Sequence, residues 1–205
     1  DRVYPSKGKP MTQAKPRFLD FEDYLSYDDG LDPRYELVDG ALVELPPESE
    51  SNDFIANYLF LLLTNAGISP RLIRVHTCEL QVSSLQRGDA LNRFPDLVVL
   101  REEHLALTQR RLTITIEMPP PRLVVEVVSP GKVNRERDYR RKLAQYQTRA
   151  IDEYWIIDPE QQIITVFALK VGQYMECGQF RGCDRILSTV FPLLEIVAED
   201  VLNLG

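Results

Sequence analysis

The chain has 205 residues, 44% of them hydrophobic and 27% charged, with 24 lysines and arginines against 31 acids for a net charge of −7. That length supports one domain with a real core, and no apolar run reaches the ~20 residues of a membrane span. The acidic balance disfavours a general nucleic-acid binder but leaves room for an acidic metal site with one local basic stripe, and three cysteines make no disulfide framework, so a cytoplasmic setting is expected.

Residues 1–16 read as a flexible polar lead without the apolar middle of a signal peptide, and 17–205 as a single domain. Met11-Thr-Gln-Ala-Lys-Pro reads as a natural start, with Asp1–Pro10 as upstream extension. Phe18, Phe21, Tyr24 and Leu25 predict a helix capped by Asp20, broken by Asp28-Asp29-Gly30 and Asp32-Pro33. Tyr35 to Leu45 predicts two short strands around an Asp39-Gly40 turn. Phe54, Ile55, Tyr58, Leu59, Leu62 and Leu63 form the apolar face of a helix over 51–65, stopped by Gly67.

From Arg71 to Ser83 the pattern is strand-like, with His76 and Cys78 on one face. Phe94–Leu100 and Leu123–Val128 are apolar nearly throughout, as central strands buried on two faces are. A charged helix over 134–149 leads to a strand at Tyr154–Ile157 and another at Ile163–Lys170. After Gly172 only short, weak elements are expected, ending with Phe191–Val201. This order is α/β, with a right-handed crossover from Leu123 to Ile157.

The chemistry centres on two acids. Glu126 stands inside Leu-Val-Val-Glu-Val-Val, where an unpaired charge costs several kcal/mol or is forced to protonate. It needs a strong partner, and a cation is the simplest. Asp96 opens another buried strand, directly after Pro95. If the two strands are neighbours, the carboxylates meet, and Mg²⁺ or Mn²⁺ between them removes their repulsion. The bland readings are a turn aspartate and a strand glutamate paired with an arginine. On the charged helix Asp138, Lys142 and Tyr146 share one face, within a basic stretch that could equally be a solvated surface. His76, Cys78, Cys177 and Cys183 lack zinc-site spacing. No serine-hydrolase elbow, Walker loop or dinucleotide glycine pattern is present.

Several ordered motifs go further: Arg34-Tyr35-Glu36-Leu37-Val38-Asp39-Gly40, Phe94-Pro95-Asp96-Leu97-Val98-Val99-Leu100, Pro121 to Pro130 around Glu126, Arg141 to Tyr146, and Asp152 to Asp158. With these the chain resembles the Uma2 family (DUF820), abundant in cyanobacteria and similar to restriction endonucleases of the PD-(D/E)xK superfamily. The resemblance implies an αβββαβ core with a mixed central sheet flanked by helices, plus an N-terminal helix and hairpin. It implies Asp96, Glu126 and the Val127 carbonyl as ligands of Mg²⁺ (or Mn²⁺), and DNA as substrate. Lysine is expected two residues after the Glu, where this chain has Val128; Lys142, from the family's next motif, is the replacement. Tyr146 and Asp138 would orient it, and Glu36 is a candidate auxiliary acid or a charge flanking the hairpin. Nucleases that cut duplexes often act as homodimers. A catalytically inactive module with a binding or assembly role is the alternative, favoured by Val128 and the acidic balance, and a hydrolase of other phosphates is a third reading.

Overall fold

A computed structural model describes residues 15–27 and 34–203; most of the expected N-terminal lead, and the helix break at residues 28–33, lie outside them. Asp20 caps α1 (Phe21–Leu25), its Oδ1 accepting the Asp23 amide at 2.8 Å. Strands β1 (Tyr35–Val38) and β2 (Ala41–Glu44) turn through Asp39 and Gly40 at φ of +48° and +80°. A Cβ at Gly40 would lie 2.8 Å from the Phe18 carbonyl oxygen, so the turn needs glycine for space as well as for φ. Next comes α2 (Glu50–Asn65), capped by Ser49.

The stretch from Arg71 to Ser83 is not one strand. It divides into β3 (Ile73–Val75) and β4 (Glu79–Gln81), which belong to different sheets. The break is at His76, whose φ of +58° ends the extended run. Then follow β5 (Asn92–Arg93), β6 (Leu97–Val99), α3 (Glu102–Leu107), β7 (Thr113–Ile114) and β8 (Leu123–Val127). The charged helix has three parts: α4 (Lys132–Glu136), a π-helical turn at Arg137–Lys142, and α5 (Leu143–Thr148). It leads into β9 (Glu153–Asp158), β10 (Ile163–Lys170), β11 (Gln173–Phe180) and α6 (Ala198–Leu202). The weak elements expected after Gly172 thus include a full eight-residue strand, β11. It is an edge strand with half its side chains exposed and only one buried, so it carries little apolar pattern.

The main sheet runs β11-β10-β9-β8-β6-β3. β8 and β9 are parallel and every other neighbouring pair is antiparallel, so the sheet is mixed. Taken in order, α2, β3, β6, β8, the α4–α5 helix and β9 form the expected αβββαβ core. On one face Ile55, Leu59 and Leu63 of α2 pack on Leu97, Val125 and Trp155. On the other, Tyr146 of α5 packs with Val98, Val124, Tyr154 and Ile156. Burial on both faces explains why β6 and β8 read as continuous apolar runs.

The register sets the site. Val75 pairs with Leu97, and Leu97 with Val125. One residue further along, His76, Asp96 and Glu126 stand side by side across three neighbouring strands. The His76 amide confirms the extension, donating to the Asp96 carbonyl at 3.0 Å. No helix among the described residues is long and apolar enough to cross a membrane.

Candidate active site

Glu126 is 2% exposed, and its alternation along β8 points it to the α5 side of the sheet with Val124 and Val128. Its partner is a cation, as its burial requires, and the cation is a lysine. Lys142 Nζ lies 2.6 Å from Glu126 Oε2 and 3.2 Å from Asp138 Oδ1. The Tyr146 hydroxyl donates to Glu126 Oε1 at 2.5 Å. The helical face that carries Asp138, Lys142 and Tyr146 therefore converges on the strand glutamate. Burial pushes the Glu126 carboxyl up to about 7, against the pull of the Lys142 ammonium. Burial acts against the charge on Lys142 too, but Glu126 and Asp138 outweigh it and hold the ammonium well above its ordinary range. Asp138 is also gripped by Arg137, with Nε to Oδ1 at 3.1 Å.

Asp96, 6% exposed, faces the same pocket. Its Oδ2 accepts the Val127 amide at 2.6 Å, which ties the two strands at the level of the acids. Its Oδ1 lies 3.4 Å from His76 Nδ1, while His76 Nε2 is 3.2 Å from Asp53 Oδ1 on the first turn of α2. Burial opposes a charge on this ring, yet Asp96, Glu48 and Asp53 together raise its pKa. Glu48, just before the Ser49 cap, completes the group. Glu48, His76 and Asp96 each offer a ligand atom within 4.8 Å of the others, a spacing that can hold a metal ion. Burial and the neighbouring Asp96 push the Glu48 carboxyl up.

The pocket between these groups measures about 140 Å³, with Glu36, Glu48, Asp96, Glu126, Arg137 and Lys142 in its lining. Glu36 is held by Arg93, whose Nη1 lies 2.9 Å from its Oε2, and Arg93 is steadied in turn by Gln145. The Val127 carbonyl accepts a long contact, 3.4 Å, from the Asn52 amide. Sequence reasoning did not find Glu48, and it set His76 aside. The signal was available only through strand pairing, which puts His76 opposite Asp96. Beside α4 lies a second, larger cavity of about 580 Å³, where Lys132, Arg135, Arg140 and Arg181 face one acid, Glu136. Arg135 is committed to Asp158 and Glu160.

Among curated proteins none matches the chain. A solved structure described as "a putative nuclease belonging to DUF820", from Anabaena variabilis ATCC 29413, has a similar fold: TM-score 0.61 at 15% identity, covering 88% of this chain and 96% of that one. The profile of the Uma2 family, described as "putative restriction endonuclease", matches residues 21–200. The chain belongs to the Uma2 family.

Proposed function

We propose that this protein is a divalent-metal-dependent nuclease that hydrolyses DNA phosphodiester bonds in the pocket between β6, β8 and the π-helical turn. The observation that carries the reading is the convergence of Asp96, Glu126 and Lys142 on one small polar pocket, with the lysine supplied by the helix. The donors suit a hard or borderline divalent ion: two or three carboxylates, one imidazole and the Val127 carbonyl. Asp96 belongs to both candidate ligand sets, either with Glu126 and the Val127 carbonyl or with Glu48 and His76. A bound Mg²⁺ or Mn²⁺ supplies positive charge against the phosphate and lowers the pKa of the attacking water.

The chain's own groups do the rest. Lys142 donates one N–H to Glu126 and lies 3.2 Å from Asp138 as an ion pair, which leaves an N–H to donate to a phosphate oxygen as charge develops. Glu126, its carboxyl pushed up to about 7 by burial, would accept a proton from the water as the water oxygen bonds to phosphorus, while the bond to the departing sugar oxygen breaks and that oxygen takes its proton from solvent. Tyr146 fixes the orientation of that carboxylate. The basic cavity beside α4 supports a polyanionic substrate, since it gives an acidic chain one local surface for a phosphate backbone.

The test is cleavage of supercoiled and linear duplex DNA by the purified protein with Mg²⁺ or Mn²⁺. Native protein should nick or cut only when the ion is present, and Asp96→Ala and Glu126→Ala should be inactive while still folded. No cleavage with either ion, or full activity in either variant, refutes the proposal.

A further inference from the structure

We infer that the ion site of this chain is a mixed nitrogen–oxygen one, Glu48–His76–Asp96, and that His76 makes it favour a d-block ion such as Mn²⁺ over Mg²⁺. The inference deepens the nuclease reading and rests on it for what the ion is used for, but the binding site stands on its own geometry.

Four observations lead to it. The three ligand atoms lie within 4.8 Å of one another, close enough to share one ion. Both ring nitrogens of His76 are buried, yet neither makes a hydrogen bond: the oxygens of Asp53 and Asp96, at 3.2 and 3.4 Å, lie near them but out of line. Buried polar atoms without partners are rare and call for an explanation, and a bound ion is one. The backbone that carries the ring is also fixed on both sides. The His76 amide donates to the Asp96 carbonyl, and the His76 carbonyl accepts Arg34 Nη1 at 2.7 Å.

The fourth observation is where Glu126 is engaged. One of its oxygens carries the Lys142 ammonium and the other the Tyr146 hydroxyl. A cation already compensates that carboxylate. Asp96 is different: Oδ2 is tied to the Val127 amide, while Oδ1 faces His76, with Glu48 the remaining member of the group. The uncompensated acids of the pocket are therefore on the His76 side, and a divalent ion is drawn there.

The ligand type then sets the preference. Mg²⁺ demands oxygen donors in a near-ideal octahedron and gives up its water reluctantly. An imidazole adds little for Mg²⁺ but is a good ligand for first-row transition ions. The competing occupant is a proton on His76, which makes the ring itself the cation for Glu48, Asp53 and Asp96.

Calorimetric titration of the full chain with MnCl₂ and MgCl₂, together with electron spin-echo spectroscopy of the Mn²⁺-loaded protein, decides between these. Mn²⁺ should bind at least about tenfold more tightly than Mg²⁺, with a nitrogen coupling from one imidazole. His76→Asn is the informative variant, because asparagine tolerates positive φ and replaces the nitrogen donor by an amide oxygen. It should remain folded in a thermal melt, lose the nitrogen coupling, and bring the two affinities close together. Glu126→Gln should keep native Mn²⁺ affinity. Absence of nitrogen coupling, an unchanged Mn²⁺ preference in His76→Asn, or failure of Mn²⁺ to bind overturns the inference. Loss of binding in Glu126→Gln but not in His76→Asn also overturns it and leaves the nuclease reading intact. Nitrogen-coupled Mn²⁺ without DNA cleavage does the reverse.

Discussion

Lys142→Met removes the ammonium from the pair with Glu126 while keeping an unbranched apolar stem. Lys142 is 8% exposed, and the two carboxylates it joins, Glu126 and Asp138, are 2% and 1% exposed. Removing one member of a buried ion pair costs about 3–5 kcal/mol, because the remaining charge is left without compensation. Asp138 keeps Arg137, and Glu126 keeps the Tyr146 hydroxyl, so the lower end of that range applies. At ~2–4 °C per kcal/mol for a chain of this size, the melting temperature should fall by roughly 6–12 °C. The pH dependence has a definite sign. Glu126 already titrates near 7 because of burial, and loss of Lys142 raises it further. A carboxyl whose folded pKa lies above its unfolded one contributes stability below the unfolded value and loses it as pH rises through the folded value. The penalty of Lys142→Met should therefore grow as pH rises through and above about 7. Differential scanning calorimetry across that range measures it, and Glu126→Gln/Lys142→Met should recover part of the loss. A single variant that melts with the native protein at pH above 7, or a double variant no better than the single, refutes this account of Glu126.

Three other changes probe separate parts of the molecule. Asp96→Asn keeps an oxygen for the Val127 amide but drops the charge, so cleavage should fall about 100-fold or more with the melting temperature nearly kept, as read by plasmid nicking and a thermal melt. Charge reversal of Lys132, Arg140 and Arg181 together should weaken duplex binding in EDTA and flatten its salt dependence by about 2–3 in log–log slope, with Mn²⁺ binding unchanged; an unaltered slope removes the basic cavity from the DNA path. Glu153→Gln replaces an acceptor bonded by Trp155 Nε1, the Ser188 hydroxyl, and the Thr189 and Val190 amides. Its amide nitrogen would face donors, so a loss of about 2–3 kcal/mol is expected in urea unfolding.

The core was legible because its signal is local. Runs such as Leu97–Leu100 and Leu123–Val128 declare strands covered on both faces, and Glu126 stands out against such neighbours. Lys142 and Tyr146 could be grouped with Asp138 because helical periodicity alone puts them on one face. His76 could not be seen in the same way. A strand reading of 71–83 fixes its direction by alternation, and a single positive φ cancels that alternation. Its neighbours Asp96 and Glu48 come from distant segments, so only the order of strands in the sheet reveals them. β11 was hidden for a different reason: an edge strand with half its side chains exposed and one fully buried imprints only a weak pattern.

The lysine question brings these points together. The resemblance to PD-(D/E)xK nucleases implies a lysine at position 128, on the same strand as the glutamate and two residues on, which would place it on the same face. Here Val128 is 3% exposed and packs in the cluster that contains Tyr146 and Tyr154. The helix crosses that face, so an ammonium can reach Glu126 from above as well as from the strand. The π-helical turn from Arg137 to Lys142 is where it does so, and the Tyr154 hydroxyl fastens the turn by donating to the Asp138 carbonyl at 2.9 Å. Tyr146, one turn further on, fixes the other glutamate oxygen. Moving the cation from strand to helix changes what controls it. A strand lysine is fixed to the glutamate by the sheet register, whereas Lys142 is fixed by how the helix packs on the sheet. A shift of that helix would move the ammonium away from Glu126 and leave Asp96, Glu48 and His76 undisturbed. In the proposed mechanism, ion binding and charge stabilisation would thereby be carried by separable parts of the fold.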